Sequence, residues 1–127
     1  MIYNINENPH KGNKGFKRVL CAFKNSWSGL VFAFREESAF RQELILVLLS
    51  FFMVILTETS INEKILMIFV SSLVLIVELL NSSIEAAIDR ISFDYHGLSK
   101  RAKDFGSAAV MLSLLLWTLT HGLILFN

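Results

Sequence analysis

The amino-acid sequence predicts an all-α membrane protein: an N-terminal amphipathic surface helix followed by three transmembrane helices. Two features of composition and one of patterning carry this expectation. Hydrophobic residues make up 54% of the 127 residues and charged residues 18%, whereas ordinary soluble domains carry about 25% charged residues. A chain this long buries only about two-thirds of its unfolded surface, so folding in water would leave much apolar side chain exposed. One Pro and six Gly are too few for a sheet-rich chain with many tight turns, and 11 Phe exclude the low-hydrophobicity composition of disorder. Three uncharged runs then supply the candidate spans.

Residues 1–14 (MIYNINENPHKGNK) are polar and hold the single Pro; they are expected to form a flexible N-terminal arm. From about residue 15 to 35, Phe16, Val19, Leu20, Phe23, Trp27, Leu30, Val31 and Phe34 recur at helical steps of three and four. Lys14, Lys17, Arg18, Lys24 and Arg35 fall on the other side. A basic helix with an aromatic-rich apolar face suits the bilayer surface; a helix packed on a soluble core is the alternative.

Residues 44–57 (LILVLLSFFMVILT) lie between Glu43 and Glu58, and residues 65–77 (ILMIFVSSLVLIV) between Lys64 and Glu78. Residues 105–127 carry no charged side chain and alone satisfy the rule of about 20 residues per span. The two shorter runs are lengthened by one-sided helix at residues 36–43 and 78–91. The expected spans are therefore about 37–57, 64–91 and 103–126, within one integral-membrane unit covering residues 15–127. A helix over residues 64–91 is about 42 Å long at 1.5 Å per residue and projects beyond the hydrocarbon.

Lys and Arg are dense before the first span and sparse in the loop TETSINEK, and they return as Arg90, Lys100, Arg101 and Lys103. By the positive-inside tendency the N-terminus and second loop are cytoplasmic and the C-terminus is periplasmic. The net charge of +1 gives no global attraction to nucleic acid. Cys21, the single cysteine, cannot close an intrachain disulfide. No cleavable leader is expected, since Lys17, Arg18 and Lys24 interrupt the first apolar-rich stretch.

The segment ELLNSSIEAAIDR, residues 78–90, carries the chemistry. At 100° per residue, Glu78, Asn81, Ser82, Glu85 and Asp89 share one helix face. Carboxylates in or beside a membrane span are costly and usually line a polar interior or bind something; a solvated helix end is the plain alternative, strongest for Asp89. Paired carboxylates with an amide suit a hard cation such as Mg²⁺, which is usually held by one or two carboxylates plus substrate phosphates. Glu36 and Glu37 are expected at the same depth. Lys100, Arg101 and Lys103 beside Asp104 can neutralise phosphate, or simply supply the positive-inside signal. Carboxylates for a metal and cations for phosphate are what phosphoryl transfer needs. No GxxxxGK[ST], GxGxxG, HRD or DFG motif is present. His10, His96 and His121 lie far apart in the chain without metal-ligand spacing.

VELLNSSIEAAIDRISFDYHGLSKRAKDFGSAAV (residues 77–110), SAFRQE (38–43) and GFKRVLCAFKNSWSGL (15–30) closely resemble the small prokaryotic diacylglycerol kinases. The resemblance covers nearly everything from Gly15 onward. It implies an integral inner-membrane enzyme with three transmembrane helices and a surface helix. It also implies a homotrimer whose active sites combine residues of neighbouring subunits, and transfer of the γ-phosphoryl of MgATP to diacylglycerol to give phosphatidic acid.

By the same resemblance, Glu78 matches the general base and Asn81 the essential signature amide. Glu37 and Glu85 match the metal-binding carboxylates that hold the nucleotide's cations. Arg18 matches a basic residue near the γ-phosphate and the lipid. Lys103 and Asp104 match a nucleotide-contacting pair, and Asp94, Tyr95 and His96 a segment at the adenosine end. Trp27 and Ser107 lie where the family contacts lipid. Asn25 stands on the nucleotide side, where some relatives carry an aromatic that stacks better than Asn. Undecaprenol kinase is the rival within the same family, although AKDFGSAAV and SAFRQE look more like the diacylglycerol type. A small proton-coupled transporter accounts for a membrane Glu but leaves Lys103 and Asp104 without a role.

Overall fold

The computed structural model describes residues 15–126; the expected flexible arm, residues 1–14, lies outside them. Four helices follow one another: α1 (Phe16–Glu36), α2 (Ser38–Leu56), α3 (Ile61–Ile91) and α4 (Gly97–Leu125). The chain divides into two compact units, Met1–Phe32 and Ala33–Asn127, with the boundary inside α1. In the first unit Phe16, Val19, Phe23 and Trp27 are all exposed.

In the second unit α1 ends at Glu37, whose extended backbone (φ −98, ψ 111) serves as the N-cap of α2. The Arg41 guanidinium reaches back from α2 and donates to the carbonyls of Phe34 (3.1 Å) and Arg35 (3.0 Å). These carbonyls have no intrahelical donor at a helix C-terminus, so Arg41 satisfies them and holds the break that displays Glu37.

The helix α3 packs against both α2 and α4. Its start at Ile61, earlier than the expected residue 64, follows from a capping box. The Ser60 side chain accepts from the Glu63 backbone N–H (3.4 Å), and Glu63 accepts from the Ser60 backbone N–H (2.7 Å). Likewise α4 starts at Gly97, because the His96 imidazole Nδ1 accepts from the Leu98 N–H at 3.2 Å. The sequence pattern located the apolar cores of these helices but not their polar first turns.

Phe40, Glu43, Val47, Ser50 and Val54 form the buried seam of α2, at steps of three and four. Met67, Val70, Ser71, Val74 and Glu78 are the buried residues of α3, which packs against α2. Trp117 of α4 ties the three helices together by donating from Nε1 to Ser50 Oγ (2.9 Å) and Ser71 Oγ (3.1 Å). The His121 ring stacks on Trp117 at 4.3 Å.

Outside this core, Ile45, Leu48, Phe52, Ile55, Phe69, Leu112, Leu119 and Leu123 stay exposed. Three helices, α2 to α4, are long and apolar enough to cross a membrane. A bilayer covers such surface at no cost, because lipid tails are as apolar as Leu. The all-helical architecture with three candidate spans agrees with the sequence expectation and fits a membrane protein.

Candidate active site

Helical periodicity on α3 places Glu78, Asn81 and Glu85 on one face, and all three line an open recess of about 260 Å³. Glu37 enters it from the break between α1 and α2, and Ser107 and Val110 close it from α4. Glu78 is 4% exposed. Asn81 donates from Nδ2 to Glu85 Oε1 at 3.3 Å and also interacts with Glu78. The charges of Glu37 and Glu85 act on Glu78, so two carboxylates oppose a third in one small space.

Glu43, one helix over, was not among the expected site residues. It is 8% exposed, its Oε2 has no hydrogen-bond partner, and the charge of Glu78 acts on it. Its position three residues after Phe40 and four before Val47, in the buried seam, is the signal that marks it. Asn81 Oδ1 is likewise buried without a partner. It lies against Gly106 of α4, where an added Cβ would overlap it, so a side chain at 106 requires the Asn81 amide to shift.

A second open recess, about 480 Å³, lies where α3 ends and α4 begins. Asp94, Tyr95 and His96 of the connecting loop line it, together with Lys103 and Asp104. Lys103 Nζ pairs with Asp89 Oδ1 at 2.6 Å, with the two side chains 38% and 43% exposed. Lys100 pairs with Asp104 at 2.5 Å. Asp89, for which a solvated helix end was the plain alternative, stays partly exposed and bridges α3 to α4. Lys103 also feels the Glu85 charge, which links the second recess to the first.

Of the expected site residues, Glu37, Glu78, Asn81, Glu85 and Ser107 share the first recess. Asp94, Tyr95, His96, Lys103 and Asp104 share the second. Arg18, Asn25 and Trp27 belong to the other unit and are exposed on α1. Among the described residues, no group of three or more His, Cys, Asp or Glu is gathered tightly enough to hold a metal by protein ligands alone. Chemically the first recess offers a buried carboxylate as a base beside further oxygen donors, and the second offers cations and aromatics.

The model of one protein family, described as prokaryotic diacylglycerol kinase, matches residues 24–125. A Pseudomonas aeruginosa protein named diacylglycerol kinase is 47% identical over 123 residues, covering 97% of this chain and all of that one. An Escherichia coli (strain K12) protein of the same name is 43% identical over 113 residues, 89% of this chain and 93% of its own. A Helicobacter pylori (strain 26695) protein, again so named, is 44% identical over 109 residues, 86% of this chain and 85% of its own.

Proposed function

Because the chain belongs to the prokaryotic diacylglycerol kinase family, we propose that it transfers the γ-phosphoryl group of ATP to the hydroxyl of diacylglycerol, giving phosphatidic acid. The observation that carries this reading is the buried Glu78 carboxylate in a recess shared with Glu37, Asn81 and Glu85, coupled through Lys103 to a recess of nucleotide size.

In this reading Glu78 is the general base. It accepts the lipid hydroxyl proton as the oxygen bonds to the γ-phosphorus and the bond from that phosphorus to the β–γ bridging oxygen breaks. ADP leaves, and the proton passes from Glu78 to water. Asn81 holds Glu85 in place through its amide. Glu37 and Glu85 would hold the Mg²⁺ that accompanies ATP, and the ion would offset phosphate charge. The donor set fits it: oxygens only, with one or two carboxylates sufficient beside phosphates. The mutual repulsion of these carboxylates and the unpartnered Asn81 Oδ1 leave a place where a cation is welcome.

Lys103 and Arg18 balance phosphate charge. Asp94, Tyr95, His96 and Asp104, with Asn25, hold the nucleotide, while Trp27 and Ser107 meet the lipid. The helix α1 lies on the cytoplasmic surface of a bacterial inner membrane, with the N-terminus inside and the C-terminus periplasmic. The working form is a homotrimer. A substrate that enters sideways from the bilayer needs no water-filled tunnel, which suits so small a bundle.

Radiolabelled ATP with Mg²⁺, supplied with either short-chain diacylglycerol or undecaprenol in mixed micelles, tests the reading. Label is expected in phosphatidic acid. Label in undecaprenyl phosphate alone overturns the substrate assignment.

A further inference from the structure

We infer that Phe93 is the stacking platform for the nucleotide's base, a binding residue for the reaction proposed above, on which this inference rests. The side chain is 91% exposed although it sits in the polar loop between α3 and α4. Both neighbours are anchored: the Asp94 N–H donates to Ser92 Oγ at 2.9 Å, and Ser92 Oγ donates to Asp94 Oδ2 at 3.0 Å. Ser92 N–H in turn closes the end of α3 on the Ile88 carbonyl at 3.4 Å. The backbone therefore holds the ring out instead of letting it fold onto the helix.

That ring lines the 480 Å³ recess, with Tyr95 as a second aromatic in its wall. The volume lies within the range of small-molecule sites, about 300–1,000 Å³. The other walls include two ion pairs, Lys100 with Asp104 and Lys103 with Asp89. What the recess offers a ligand at the loop end is a flat apolar face. Lys103 lines the same recess and also feels the Glu85 charge. A molecule that sets its phosphates beside Lys103 leaves the aromatic part of the recess for its other end, and in ATP that end is the base. Stacking on an aromatic ring is tolerant of base identity because every base has a π-face, so Phe93 supplies affinity and leaves base selection to polar groups.

Initial rates in lipid–detergent mixed micelles test this, with ATP and lipid varied separately. Inhibition by inorganic tripolyphosphate, which has no base, is measured alongside. Phe93→Ala is expected to raise the KM for ATP about tenfold, toward the lower end of what stacking one base supplies. The change falls on KM and not on kcat, inhibition by tripolyphosphate keeps its wild-type strength, and Phe93→Trp recovers the wild-type KM. An unchanged KM for ATP overturns the inference. So does a rise confined to the KM for lipid, which assigns the ring to the membrane interface, or an equal weakening of tripolyphosphate, which makes the effect a distortion of the phosphate site. Wild-type protein that phosphorylates no lipid defeats the kinase reading itself. Active wild type with an unaffected Phe93→Ala defeats the ring assignment alone.

Discussion

Gly106 of α4 lies directly against the side-chain amide of Asn81 on α3: a Cβ at position 106 would overlap Asn81 Oδ1, while the Asn81 backbone stays at an ordinary 3.8 Å. The helices meet where the acidic recess is built, so a glycine of α4 protects an arrangement on α3. In Gly106→Ala the Asn81 side chain must rotate and release Glu85. Activity is expected to fall about 100-fold, the cost of misplacing a catalytic constellation by about 1 Å. The change should leave the thermal midpoint in detergent nearly unmoved, since a side chain yields and no backbone clash arises. Parallel measurement of kcat and thermal unfolding checks this.

Glu78→Gln keeps the shape of the recess and removes the base. The expected outcome is a drop in kcat of at least about 100-fold, the low end for loss of general acid–base catalysis, with ATP binding by equilibrium dialysis close to wild type.

Glu85→Gln acts elsewhere in the same recess. It removes an oxygen donor for the nucleotide's cation and weakens the partner of the Asn81 amide. Its signature is a higher KM for MgATP and a higher Mg²⁺ requirement, read from a titration of Mg²⁺ at fixed ATP. If Glu78→Gln and Glu85→Gln both phosphorylate lipid at the wild-type rate, the roles assigned to the recess are wrong.

The Lys103–Asp89 bridge is more than a third exposed on both sides, so solvent screens it and its share of stability is small. Asp89→Asn should shift unfolding only slightly. Lys103→Met should instead raise the KM for ATP several-fold, because the ammonium is the group that meets phosphate.

Trp117→Phe leaves Ser50 and Ser71 without the indole N–H they share. Interhelical hydrogen bonds within membranes average about 0.6 kcal/mol and reach about 1.7. Two lost at once predict a destabilisation of about 1–2 kcal/mol in denaturant unfolding, with the KM values for both substrates unchanged.

Residues 78–90 carry their message in one dimension. Glu78, Asn81 and Glu85 share a face because a helix repeats every 3.6 residues, so the acidic stripe, the three apolar spans and the class of fold follow from spacing. The family resemblance assigns Lys103, Asp94 and Tyr95 to the nucleotide, a role on which their spacing alone is mute. What the spacing could not supply is which distant residues face the stripe. Glu43 reads as the flank of an apolar run until the seam of α2 is seen to turn it toward Glu78. Gly106 reads as one small residue among several until Asn81 is found against it. Lys103 reads as one cation of a basic loop cluster, yet it pairs with Asp89, fourteen positions back. Local periodicity is a property of backbone geometry and is written in each helix; the rotation and depth of one helix against another depend on side-chain packing between segments far apart in the chain, and only the tertiary structure decides them.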